Sequence, residues 1–528
     1  MNVLRSGLPL ALAFLAGGAY AQKPPVKRDL NQGNTLYVVP YSHLDTQWRW
    51  AYPQVLREYI PATMRDNLAL IAKYPNYTFN FSGSRRYEMM REYYPADYAK
   101  VVAAVKAGRW FPCGSSVDEG DANVPSGESL VRHILYGNHW FRRELGVASQ
   151  EFMLPDCFGF PYALPSILAH CGLTGFSTQK LTWGSSAGIP FKVGVWKGPD
   201  GKSVVAALDP GAYTGQITED LSQNTSWLAR IRNTGMKSGA FVDYHYYGTG
   251  DRGGAPGESS VDWIERSIAG KGPISVVSAR ADEMFLNVTP AQRAKMPTYD
   301  GELLLTEHSA GSITSQAYMK RWNRKNEWLA DAAERASVGA MWLGGADYPS
   351  QRLEKAWELV LGSQMHDMLP GTSLPKAYEH CWNDEILAMN SFAEIERHGV
   401  ATIAAAMDTR GEGIPLVVYN PLGRAREELV TMENPADQAW TVLGPDGKMV
   451  PSQMIKGKLL FTAKVPANGF VAYTLQGFPD KPTGIAPAVD DARTIENDRL
   501  KVTIDRNGDI GSIYDKTAKR EVLRAPAR

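Results

Sequence analysis

The sequence predicts an α/β region, then a helical bundle, then an all-β region. From about residue 35 to 300, apolar β-branched runs alternate with segments of helical periodicity. That alternation gives a mainly parallel sheet with helices packed around it. After about residue 310, three long stretches rich in Ala, Leu, Glu, Lys and Arg carry apolar residues at helical spacing, which reads as a bundle. After Gly411-Glu412-Gly413, short strand-like runs are separated by Pro, Gly, Asn and Asp turns, the pattern of an all-β fold.

Taken in order, the elements begin with a leader. Arg5 precedes the apolar stretch Leu8–Gly18, and Ala19-Tyr20-Ala21 fits a small-x-small cleavage site. Residues 1–21 are therefore expected to be an export signal, with the mature protein in the periplasm or outside the cell. The stretch is too short to span a bilayer. Residues 22–34, polar and rich in Pro and Lys, are expected to form a linker.

Within the α/β region of residues 35–300, strands are expected at Leu36–Pro40, Tyr77–Phe81, Glu151–Leu154, Gly175–Thr178 and Val193–Trp196. Helices are expected at Arg57–Tyr74, Arg86–Ala107 (stopped by Gly108), Ser129–Leu145 and Pro165–Cys171. Residues 301–410 hold the bundle, with helices at Gln316–Met341, Ser350–Met365 and Lys376–Met407. Residues 411–528 carry strands at Ile414–Tyr419, Glu428–Met432, Lys458–Val465, Phe470–Leu475 and Leu500–Ile504. Five or six strands leave open sheet edges, so this region is expected to be the first part of a larger, sandwich-like β-domain.

With 528 residues the chain is too long for one core, and two to four domains are expected. Lys+Arg and Asp+Glu both total 56, so the formal net charge is zero. That excludes a nucleic-acid binder relying on a broad basic field. Cys113, Cys157, Cys171 and Cys381 form no CxxC pair, which speaks against a structural zinc knuckle.

Chemistry concentrates in three places. In Leu36-Tyr-Val-Val-Pro-Tyr-Ser-His43-Leu-Asp45-Thr-Gln-Trp48, a strand ends in a His and an Asp two residues apart. Residues i and i+2 of an extended segment face the same side. An imidazole and a carboxylate there suit Zn²⁺ or a similar divalent ion, and Trp48 offers a flat apolar wall of the kind a sugar ring stacks on. The second place is Phe152-Met-Leu-Pro-Asp156-Cys-Phe-Gly159, where an apolar strand presents Asp156 at the same end of the sheet. The third is Ser363-Gln-Met-His366-Asp367-Met-Leu-Pro370-Gly371-Thr372, which closes a helix on adjacent His and Asp.

These motifs, in this order, resemble glycoside hydrolase family 38, the retaining α-mannosidases. Four further segments are similar to that family: Asp118–Arg132, Thr178–Trp183, Tyr246–Pro256 and Gly301–His308. The resemblance covers roughly residues 35–400. It implies a β/α barrel, a three-helix bundle and large β-domains. It implies zinc bound by His43, Asp45, Asp156 and His366, with Asp156 also the catalytic nucleophile. Trp48 would lie under the sugar, Asp367 would bind it, and Lys180 and Asp251 would contact it. Glu302 is the positional match to the acid/base, with Glu307 in the same segment and Asp251 in a Gly-rich loop as other candidate carboxylates. Two different readings stay open at this stage: a metal-dependent polysaccharide deacetylase, and a non-catalytic sugar-binding fragment.

Overall fold

The computed structural model describes residues 26–436, 438–478 and 493–527. The expected leader lies outside the described residues. Of the expected linker, residues 26–33 are pinned down: Leu30 is buried in the first core, and the Arg28 amide donates to Asn287 Oδ1 at 3.2 Å. No helix among the described residues is long and apolar enough to cross a membrane.

The chain forms two compact units, Met1–Ala330 with Pro349–Ile395, and Asp331–Tyr348 with Glu396–Arg528. The division cuts through two long helices, Ala317–Trp342 and Pro375–Ala406. It therefore does not follow the linear order of sequence regions.

The first unit is built on strands β1 (Asn34–Ser42), β2 (Phe79–Ser82), β3 (Trp110–Cys113), β4 (Glu151–Met153), β5 (Gly159–Phe160), β6 (Gly175–Ser177), β7 (Val193–Lys197), β8 (Ser203–Ala207), β9 (Val242–Thr249), β10 (Ile274–Ser278), β11 (Thr298–Asp300) and β12 (Leu303–Leu304). Ten of these strands are hydrogen-bonded as two five-stranded sheets and β5 with β12 as a separate antiparallel pair, not as the single closed ring that a β/α barrel implies. In the first sheet β1 is central, parallel to β9, β10 and β2, with β3 beyond β2. In the second the order is β11-β7-β8-β6-β4, parallel apart from the β7–β8 pair. After its first residue β1 is buried throughout, which explains its near-continuous apolar sequence: both faces are covered.

Two elements depart from expectation for local reasons. The helix expected over Arg86–Ala107 is two helices, Ser84–Tyr93 and Pro95–Lys106. Tyr94 takes φ −136° and ψ 56°, since a residue before proline is disfavoured in the helical region. The strand Trp110-Phe-Pro-Cys113, absent from the expected elements, carries Pro112 inside it; β3 lies at the end of the sheet's strand order, where proline is tolerated. Helix Gly127–Leu145 keeps its expected limits closely. Ser126 accepts from the Ser129 amide at its start, and Gly146 closes it at φ 70°.

Three long helices follow, Ala317–Trp342, Ser350–Ser363 and Pro375–Ala406. Within the first unit, Asn326 Nδ2 donates to the Glu385 carbonyl at 3.0 Å, and Trp357 meets Phe392 edge-on at 5.8 Å.

In the second unit a four-stranded and a three-stranded antiparallel sheet share one core of Trp440, Val442, Leu459, Phe461, Tyr473 and Leu475. A separate four-stranded antiparallel sheet spans Thr494–Glu521. This is the all-β architecture the turn pattern predicts.

Candidate active site

The carboxyl ends of β1, β4 and β9, together with the turn after helix Ser350–Ser363, converge on one buried cluster. β1 delivers His43 and Asp45, both almost fully buried. Asp156 stands three residues past β4, and the chain turns at Gly159, whose φ of 107° suits only glycine. His366 arrives from the turn after the helix, anchored by a bridge between Gly120 and Met365. Ligands bind at this end of the strands in sheets of this kind.

The cluster has the spacing of a metal site. His43 Nε2 lies 3.0 Å from Asp45 Oδ1, and His366 Nε2 lies 3.3 Å from the same oxygen. Asp156 Oδ2 stands 3.8 Å from His43 Nε2 and 3.9 Å from His366 Nε2. A tetrahedral ion with bonds of about 2.0–2.1 Å separates its ligand atoms by about 3.3 Å, so the four atoms fit around one cation. Three of them, His43 Nε2, Asp45 Oδ1 and His366 Nε2, are buried and make no hydrogen bond among the described residues. Buried polar atoms are normally paired, so this trio is suited to holding a cation. The donor set of two imidazoles and two carboxylates suits Zn²⁺ or another borderline divalent ion.

Electrostatics agree. Burial alone would drive charge off the His43 imidazole, yet Asp45 and Glu119 on either side hold its pKa up at about 10. Burial would raise the Asp45 pKa, but His43 outweighs it and holds the carboxyl below its usual range. Burial, then Asp45, push the neighbouring Asp367 up to about 7. The pocket thus draws in positive charge.

Around this cluster the structure arranges the other candidates unevenly. Asp251 follows β9, and its carboxylate accepts from the Tyr213 hydroxyl at 2.7 Å. Ligand atoms of His43, Asp156 and Asp251 all lie within 4.8 Å of one another. Lys180 donates to Asp156 Oδ1 and stacks its ammonium over Trp183 at 4.5 Å and Phe158 at 5.0 Å. Asp367 is buried and accepts from the Thr372 hydroxyl. Trp48 is half-buried, with the Arg49 guanidinium 4.2 Å over its ring. Glu302 is not brought to the cluster. It is exposed at the turn between β11 and β12, where its carbonyl accepts from the Tyr299 hydroxyl, and neither it nor Glu307 belongs to the groups of converging ligand atoms.

Sequence reasoning gave no role to Glu119, Arg86, Tyr213 or His308. Glu119 Oε2 sits 3.0 Å from His43 Nδ1, and Arg86, fully buried, pairs with both Asp118 and Glu119. Tyr213 packs its ring 4.6 Å from that of His43. His308 meets Trp183 edge-on at 4.5 Å. The acidic doublet Asp118-Glu119 was the one available signal, since buried acids need partners. All four cysteines are free.

Known proteins match the chain over most of its length. The glycosyl hydrolases family 38 N-terminal domain matches residues 33–302, and the alpha mannosidase middle domain matches residues 307–402. Human alpha-mannosidase 2C1 is 27% identical over 496 residues, covering 93% of this chain and 45% of that protein. Alpha-mannosidase G of Dictyostelium discoideum is 28% identical over 525 residues, covering 93% of this chain and 47% of that protein. The chain thus spans about half the length of these relatives. A solved alpha-mannosidase from Enterococcus faecalis V583 shares the fold with a TM-score of 0.75 at 20% identity, covering 92% of this chain and 61% of the other. Since the N-terminal family domain alone accounts for more than half of the 528 residues, the chain belongs to glycoside hydrolase family 38.

Proposed function

We propose that this chain carries the catalytic centre of an exported, metal-dependent, retaining α-mannosidase that removes terminal α-linked mannose from glycans. The observation that carries the mechanism is the pairing of Asp156 with Asp251, whose nearest oxygens lie within 4.8 Å. Retaining glycosidases hold their two carboxyl groups about 5–5.5 Å apart, whereas inverting ones leave about 6.5–9.5 Å for a water.

Asp156 attacks the anomeric carbon and forms a mannosyl ester. Asp251 protonates the departing glycosidic oxygen, then takes a proton from the water that hydrolyses the ester. This gives Asp251 the acid/base role for which Glu302 was the sequence-based candidate. Tyr213 orients Asp251 through their hydrogen bond. Lys180 fixes one oxygen of Asp156 and leaves the other facing the imidazoles. Trp48 supplies the wall under the sugar, and the buried Asp367 accepts hydrogen bonds from its hydroxyls. His43, Asp45, Asp156 and His366 would hold a divalent ion, zinc by their chemistry, which when bound supplies Lewis-acid charge for orienting the sugar hydroxyls.

The full-length protein should hydrolyse an aryl α-mannoside with net retention and lose this activity when the metal is stripped. Activity unchanged after metal removal, verified by elemental analysis, would sink the metal-dependent reading. Release of acetate from an acetylated polysaccharide without release of mannose would favour a deacetylase. A fluorinated mannosyl fluoride should label the peptide containing Asp156; a label elsewhere would reverse the carboxylate roles.

A further inference from the structure

We infer that Glu119 is a positioning residue for the metal centre, aiming both histidine rings at once. The inference rests on the metal-dependent reading above and extends it to a residue that contributes no ligand atom.

Glu119 offers two different acceptors to two different rings. Its carboxylate Oε2 lies 3.0 Å from His43 Nδ1, and its main-chain carbonyl lies 2.9 Å from His366 Nδ1. The His366 amide also donates to that carbonyl, at 3.1 Å. With a hydrogen on each Nδ1, the Nε2 lone pair of each ring is free, and these are the two nitrogens that face Asp45 Oδ1. A ring nitrogen's partner fixes tautomer and orientation together.

The carboxylate is itself held against rotation. Its other oxygen, Oε1, accepts from the Tyr41 and Ser82 hydroxyls and from Arg86 Nη1 at 3.3 Å. Oε2 and His43 Nδ1, 3.0 Å apart and both buried, have no other partner among the described residues. Arg86 also holds Asp118, which accepts from Thr46 Oγ1 at 2.9 Å, so the same network grips the loop just beyond Asp45. The site is a layered one: Arg86 sets Glu119, Glu119 sets the rings, and the rings set the ligand atoms.

The test is Zn²⁺ affinity, measured on the purified full chain by competition with a chromophoric chelator. Glu119→Gln should bind Zn²⁺ about 10–100-fold more weakly than the unmodified protein, the usual cost of losing such a partner, while the unfolding midpoint of the metal-free protein shows that it is folded. With Co²⁺ in place of Zn²⁺, the visible absorption bands of Glu119→Gln should shift, because the His43 ring loses its carboxylate partner while the main-chain hold on His366 stays in place. Should that variant fail to fold, Glu119→Asp retains the charge yet is too short to reach His43, and should show the same loss. Asp45→Asn serves as the ligand control. Weak binding by Asp45→Asn with unaltered binding by the Glu119 variants would overturn the role given to Glu119 and leave the metal site standing. Unaltered binding in Asp45→Asn and in His366→Ala would instead remove the metal site itself.

Discussion

Lys180 and Asp156 form an ion pair in which the lysine, its side chain 2% exposed, takes only one of the two carboxylate oxygens. The second oxygen faces His43 and His366. A lysine that grips the proposed nucleophile acts differently from one that binds a sugar hydroxyl. Replacing Lys180 with Met should lower kcat on aryl α-mannosides by roughly 10–100-fold, the cost of a lost charged hydrogen bond in the transition state. A rise in KM at constant kcat would return Lys180 to the substrate-binding role inferred from sequence.

Asp251 and Glu302 can be separated by leaving-group chemistry. A dinitrophenolate needs little protonation, so Asp251→Ala should retain most of its rate on a dinitrophenyl mannoside while losing about 10²–10⁴-fold on a disaccharide. Glu302→Ala, exposed at its turn, should stay near the unmodified rates on both. The opposite pattern would restore Glu302 as the acid/base.

Gly137 lies in the middle of helix Gly127–Leu145, where glycine normally weakens a helix by up to about 1 kcal/mol relative to alanine. A Cβ there would meet the Ser116 carbonyl carbon at 2.4 Å and its oxygen at 2.6 Å. Main chain cannot step aside cheaply, so Gly137→Ala should destabilise the protein by roughly 1–3 kcal/mol instead of stabilising it. The thermal midpoint checks this, and an unchanged or raised midpoint would show that the loop yields.

His133 is buried on the same helix, 3.2 Å from Gln364 Oε1, and burial lowers its pKa from 6.5 to about 4. The folded state therefore binds fewer protons than the unfolded chain between these values, and stability rises with pH across the window. Its contribution is complete above pH 6.5 and falls by up to about 3 kcal/mol as the pH drops towards 4. Urea midpoints of the unmodified protein and of His133→Gln should converge on acidification, because the variant lacks this titration. Parallel curves would assign the acid sensitivity to other groups.

The sequence made half of this site legible. His43 and Asp45 could be read because a period of two puts both on one side of a strand end, and Asp156 because an apolar run stops at Pro-Asp. The proximity of Asp251 to Asp156 could not be read. It depends on β9 lying against β1, and β9 mixes Asp243 and His245 into a largely buried strand, which hides its pattern. Glu119 was still less accessible, since its contact with His366 joins residues 247 apart. In the fold, element type followed from local pattern, whereas the opening of the expected barrel into two sheets reflects long-range pairing that no local window encodes.

The β1 and β9 ends are joined by main chain as well as by chemistry. The His43 amide donates to the Thr249 carbonyl, the Asp45 amide to the Asp251 carbonyl, and the Gly253 amide to the His43 carbonyl, each at 2.9 Å. The separation between the His43 strand and the Asp251 loop is therefore written in peptide groups. Side-chain drift cannot alter it, and loops elsewhere on the rim can diverge in length without disturbing it. In exchange experiments in heavy water these three amides should open as one unit, so the spacing of His43 and Asp251 persists or is lost all at once.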